Sequence, residues 1–148
     1  MRVLMEIAQN RVLLTSGLAW IVAQALKVVF TFISERKIDL HRMLGLGGMP
    51  SSHSAVVCAL ATGCGLSNGF YSVEFAIAAI LATVVMTDAA GVRRAASRQA
   101  VQINLIVKDL IESGHGLTYE NMKELLGHTP FQVLVGAILG VILAFLAV

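Results

Sequence analysis

Four apolar stretches separated by polar connections organise the chain. The first runs from Val12 to Ile33, 22 residues. At about 1.5 Å per residue, such a helix reaches about 33 Å, against a bilayer core of about 30 Å. The pattern predicts a retained membrane helix: it is long for a signal-peptide core, and no convincing small-residue cleavage site follows it. A polar loop, Ser34–Pro50, comes next. The second stretch, Ser54–Leu66, is short and rich in small residues. It crosses only if it starts near Ser51 in a thinned bilayer, or if it packs inside a bundle. Ser67-Asn68-Gly69 reads as a turn. Phe70–Met86 is a third spanning candidate, and Pro130–Val148, 19 residues without a charge, is the fourth. Between these two lies the long polar region 88–129. There, Ala95–Ile111 has the pattern of an amphipathic helix, with Val101, Leu105 and Ile106 on one side and Arg98, Gln102 and Asp109 elsewhere. Ser113–Gly116 breaks it, and Thr118–Leu126 predicts a short polar helix with Thr118 and Asn121 as caps.

Composition fixes the solvent of these helices. The chain has 148 residues, 57% hydrophobic and 14% charged, where soluble domains carry about 25% charge. Mean hydropathy is +0.79, so the excess apolar surface must face lipid. The expectation is a single membrane domain over residues 1–148. Its fold class is an all-α integral membrane bundle of about four main membrane helices plus an amphipathic helix on the cytoplasmic side. Net charge is only +2, and no basic run interleaves with aromatics, which argues against a nucleic-acid partner. Cys58 and Cys64 fall on different faces of one helix, so they read as packing residues rather than a disulfide or metal pair. No cofactor is expected.

Charge also orients the helices. Lys27, Arg36, Lys37 and Arg42 lie at or beyond the end of the first stretch, and Arg93, Arg94, Arg98, Lys108 and Lys123 lie beyond the third. The connection between the second and third stretches has no Lys or Arg, and only Arg2 and Arg11 fall on the other side. The positive-inside rule then places the 34–53 loop and the 88–129 region in the cytoplasm, for a protein of the inner or plasma membrane.

This topology gathers reactive residues. "GGMPSSHSA" (47–55) puts Ser51, Ser52 and His53 where the second helix opens. His128-Thr129-Pro130 opens the last helix, with Pro at the first helical position and Thr129 as its cap. Both helices enter from the face where Lys27, Arg93 and Arg94 lie. Helix N-termini, hydroxyls and guanidinium forks all suit a phosphate group. One histidine would attack phosphorus and the other would protonate the leaving oxygen, without a metal. Asp88, costly in lipid, is expected to pair with an Arg or to serve as a carboxylate for the site. Gly136 and Gly140 form a small-xxx-small packing pattern. His41 and His115 read as loop residues, and Gly45, Gly47 and Gly48 give the loop freedom to approach an anion.

With "DAAGVRRAASRQA" and "LLGHTPFQVLVGAILG" beside "GGMPSSHSA", in this order, nearly the whole chain resembles the divergent branch of the type 2 phosphatidic acid phosphatase superfamily. That superfamily is related to vanadium-dependent haloperoxidases and bacterial acid phosphatases. Its three motifs are Lys, six residues, Arg-Pro; then Pro-Ser-Gly-His; then Ser-Arg, five residues, His, three residues, Asp. Pro50-Ser51-Ser52-His53 matches the second with Ser52 in place of Gly. The resemblance implies that His53 is the general acid, that Ser51 and nearby backbone hold phosphate, and that His128 is the nucleophile. Arg93 or Arg94 stands for the motif arginine, more than thirty residues before His128. Lys27 stands for the first-motif lysine; Arg36 or Arg42 substitutes for the missing Arg-Pro. Gln132 occupies the place of the Asp that orients the nucleophile, and an amide lacks the charge to stabilise imidazolium.

The reading that follows is a metal-independent, acid-phosphatase-like hydrolase. It would cleave a phosphomonoester or pyrophosphate on a lipid-like or small substrate through a phosphohistidine. The alternative is a non-catalytic membrane protein that keeps the fold and binds a phosphorylated lipid. Its partners are a phosphorylated lipid or small phosphate ester, and the membrane lipids themselves. A haloperoxidase role has no halide site to support it.

Overall fold

In a computed structural model of the chain, the structure describes residues 1–36, 48–113 and 127–148. It is helical: α1 (Arg2–Gln9), α2 (Arg11–Glu35), α3 (Ser52–Asn68), α4 (Val73–Thr87), a π-helical turn (Asp88–Val92), α5 (Arg93–Glu112) and α6 (Pro130–Ala147). The starts are set by local side chains. Asn10, Ser51, Ser72 and Thr129 each accept a backbone N–H from their own first turn. For α6 the cap is reciprocal, because the Gln132 side chain also accepts the Thr129 N–H, and Pro130 begins the helix.

α3 is the centre. Ala19 and Ala23 of α2 pack on Ala55 and Ala59, with Leu139 and Leu143 of α6 closing the cluster. On the other side Val57 and Ala61 meet Ala78 and Ala82 of α4. α6 approaches closest. A Cβ on Gly136 would run into the Ser51 carbonyl, and one on Gly140 into the Ala55 carbonyl. The small-xxx-small pattern is therefore the α3–α6 seam within one chain. The α3 and α6 N-termini lie side by side, with Ser51 N–H donating to the Gln132 carbonyl at 3.1 Å. Large apolar side chains face outward from α4 (Ile77, Ile80, Val84) and α6 (Leu134, Ile138, Phe145). That is the surface a membrane helix presents to lipid.

Among the described residues, three helices are long and apolar enough to cross a membrane: Arg11–Ile33, Val73–Glu112 and Pro130–Ala147. With the apolar pattern, this makes the chain an integral membrane protein built as a helical bundle. The fourth expected crossing is α3, whose 17 residues reach only about 26 Å. It starts beside Ser51 and packs inside the bundle, enclosed by α2, α4 and α6. A second difference concerns region 88–112, where the sequence predicts a connection and then a separate amphipathic helix from Ala95. Instead α4 runs through the π-turn into α5 as one 40-residue helix. The physical reason is that the Arg93 N–H bonds to the Asp88 carbonyl, so the main chain stays paired through the polar sequence. The amphipathic α1, none of whose residues is buried, was not expected; eight residues are too few for a periodic signal. Lys37, His41, Arg42, Gly45, Gly47, His115, Lys123 and the expected Thr118–Leu126 helix lie outside the described residues.

Candidate active site

The end of α2, the starts of α3 and α6, and the end of α4 meet at one end of the bundle. His53 and His128 stand edge to face, ring centroids 6.0 Å apart and planes at 63°. Their proximity follows from the seam: both helices open at the same level, and each histidine sits within two residues of its cap.

His128 is 3% exposed and lies in the segment before α6. Its Nδ1 is 3.3 Å from Gln132 Oε1. That same oxygen accepts the Thr129 N–H at 3.0 Å. A backbone N–H can only donate, so the amide presents oxygen, and Nδ1 must carry the ring proton. Nε2 is left with its lone pair, the form a nucleophilic histidine needs. Burial pushes the His128 pKa below the ordinary histidine value; the Gln132 bond opposes this, and the charges of Lys27, His53 and Arg93 push it down further. The sign for stability follows. Below the unfolded pKa of about 6.5, the unfolded chain takes up a proton that folded His128 resists. This stabilising contribution is therefore full above that pH and is lost as pH falls through the lower folded value. Thermal unfolding in detergent should show constant stability from pH 7 to 8 and a decline below about pH 6.5, smaller in His128→Gln. Equal declines in both proteins would remove His128 as the cause.

Lys27 is 2% exposed, and its Nζ donates to Ser52 Oγ at 3.2 Å. Gly48 lies over the Lys27 stem. Ser52 thus accepts from the lysine and keeps its own hydroxyl proton to donate elsewhere. Ser51, fully buried, is engaged in structure: its Oγ accepts from the Ser54 N–H at 3.4 Å and from Ser54 Oγ at 3.1 Å.

The two adjacent arginines separate. Arg93 is held by Asp88 at 2.6 Å, and its charge acts on both His53 and His128. Arg94 contributes its backbone, against which Gly127 packs so closely that a Cβ there would collide. Asp88 therefore binds an arginine, and Gln132 is the group on the His128 ring. Arg36 is exposed, in the left-handed conformation at the end of α2.

Three features were missed from sequence. The Ala89 carbonyl accepts the His128 N–H at 3.2 Å. Gly127 makes the close approach just described; its only sign was a glycine before His-Thr-Pro. Gln24, one turn before Lys27, has a buried Oε1 without a partner among the described residues, and His53 Nδ1 is in the same position. No group of three or more His, Cys, Asp or Glu residues suited to a metal occurs among the described residues. Taken together, the site offers a neutral imidazole with its Nε2 lone pair, a second imidazole whose Nδ1 has no partner among the described residues, a hydroxyl donor and two cations. Beside it, a groove of about 580 Å³ runs between α4 and α6, lined by Thr83, Met86, Thr87, Pro130, Val133 and Ala137 among others.

The family model described as "Divergent PAP2 family" matches residues 8–143. The uncharacterized membrane protein YuiD of Bacillus subtilis (strain 168) is 44% identical over 149 residues, covering 94% of this chain and 94% of that protein. No solved structure matches.

Proposed function

We propose, from the premise that the chain belongs to the divergent PAP2 family, that it hydrolyses a phosphate ester carried by a lipid at the cytoplasmic face of the membrane. The observation that carries this reading is the pairing of half-buried His53 with buried His128 beside Lys27, Ser52 and Arg93. His128 Nε2 attacks phosphorus, forming a P–N bond as the bond to the leaving oxygen breaks. His53 gives that oxygen its proton. Water then adds to phosphorus, His53 takes up a proton from it, the P–N bond breaks and phosphate leaves. Lys27 and Arg93, with the Ser52 hydroxyl, stabilise the charge on the phosphoryl oxygens. The groove between α4 and α6 favours a lipid over a soluble ester, because it is apolar and runs from membrane depth to Pro130, two residues from His128.

A second reading, a binder of phosphorylated lipid without turnover, is favoured by Gln132, whose neutral amide stands on the nucleophile. One experiment separates them. Inverted and right-side-out membrane vesicles holding the protein are given phosphatidic acid, an isoprenyl diphosphate and a soluble aryl phosphate, with a chelator present. Phosphate release from the lipids, in inverted vesicles only, is expected. Lipid phosphate binding without release supports the binder. Release only from right-side-out vesicles overturns the cytoplasmic placement.

A further inference from the structure

The π-helical turn is out of place in a spanning helix unless something uses it, and such one-residue insertions concentrate at functional sites. Three contacts converge on Asp88–Val92 and its junction with α5. The Ala89 carbonyl accepts the His128 N–H at 3.2 Å. Asp88 holds the Arg93 guanidinium at 2.6 Å. Gly127 lies against the backbone of Arg93 and Arg94, in a space that admits no Cβ. In an uninterrupted α-helix, residues beyond the turn would be rotated by about 100° relative to α4, since one residue spans that angle. Arg93 and the surface that receives Gly127 would then leave the histidines.

We infer that the π-turn is the positioning element of the site: through the Ala89 carbonyl and the seat for Gly127 it fixes the His128 backbone, and through Asp88 it fixes Arg93. Ala89, Gly127 and Asp88 are positioning residues, acting through His128 and Arg93. The inference rests on the phosphatase reading for its consequence, but not for its geometry. The turn ties the nucleophile to the cation whose charge acts on it, although 34 residues lie between Arg93 and His128. Gln132 sets the ring tautomer from the α6 side, and the turn sets where the ring stands.

The test uses full-length protein in detergent with ¹⁵N-labelled histidine, comparing wild type with Gly127→Ala and with a deletion of Ala90 that closes the turn. The wild-type His128 ring should be protonated at Nδ1. In both variants that preference should weaken to a mixture of tautomers. With phosphatidic acid as substrate, kcat should fall at least tenfold while KM changes less than threefold. Folded variants that keep the Nδ1–H tautomer and wild-type kcat overturn the inference. A tautomer shift in variants of a wild type that releases no phosphate supports the positioning role and counts against hydrolysis instead. If neither variant folds, hydrogen exchange of the wild-type His128 amide decides. Slow exchange supports the bond to Ala89, and exchange at the rate of an unprotected loop amide overturns it.

Discussion

His128→Ala should reduce phosphate release to background, and Gln132→Glu should raise it on the order of tenfold, about 1.4 kcal/mol of barrier. The first effect follows from the free Nε2 lone pair, which no other described side chain supplies beside His53. The second follows from the contacts of Gln132. Its Oε1 both completes the α6 cap and meets His128 Nδ1. Glu has the same length and is equally suited to the third helical position of such a cap. It would keep both bonds while adding the charge that stabilises the imidazolium created as the P–N bond forms. Asp is one methylene shorter and should give the smaller gain, though it is the residue the family motif carries at that position. The comparison is phosphate release from phosphatidic acid by the three Gln132 forms, each with and without His128→Ala. Activity surviving His128→Ala would remove the phosphohistidine. A folded Gln132→Glu protein no faster than wild type would show that orientation of the ring, and not charge, is what position 132 supplies.

Gly136→Ala and Gly140→Ala should each destabilise the bundle by about 3 kcal/mol, the upper part of the range for overpacking a tight core. Ordinarily a neighbouring side chain yields to an added methyl. Here the obstacle at both positions is the backbone of α3: the Ser51 carbonyl at Gly136, and the Ala55 carbonyl and Ala59 nitrogen at Gly140. Backbone inside a helix cannot swing aside, so α6 must back away and the Ala55 and Ala59 contacts open with it. Gly17→Ala is the control, since nothing lies within 4 Å of its added carbon. Thermal unfolding in detergent should show both seam variants well below wild type and the control at or above it. Seam variants as stable as the control would mean that α3 and α6 do not approach so closely.

Much of this was legible from residue chemistry acting over short distances. Thr129 reveals a helix start because a capping oxygen must sit beside the first turn, and the serine-histidine block marks another; that Ser51 caps it emerged only from the fold. Two starts on one face then put His53 and His128 at one level without any knowledge of packing, and the α3–α6 seam brings them together. Lys27 was placed at the right level by its position in the first apolar stretch, but its bond to Ser52 depends on how α2 leans on α3. Arg93 and Arg94 could not be told apart, because adjacent residues on a helix differ by direction alone and the π-turn sets that direction. The turn itself left no trace in "DAAGV". Its register is held by contact with residues 127 and 128, a long-range cause that no local pattern encodes. α3 was the weakest of the apolar stretches for a related reason: its demands come from neighbours and not from solvent.

That enclosure sets the rules of variation for α3. A helix walled in by three others meets little lipid, so hydropathy places few constraints on it. This is why Ser54, Thr62, Cys58 and two glycines sit comfortably at membrane depth. Volume is what its positions measure. In a saturation library, buried α3 positions should accept Ala, Ser, Cys or Gly nearly interchangeably and refuse Leu or Phe. The outward faces of α4 and α6 should do the reverse, accepting any large apolar side chain and refusing a charge. The bundle thus carries two alphabets, one of size inside and one of polarity outside.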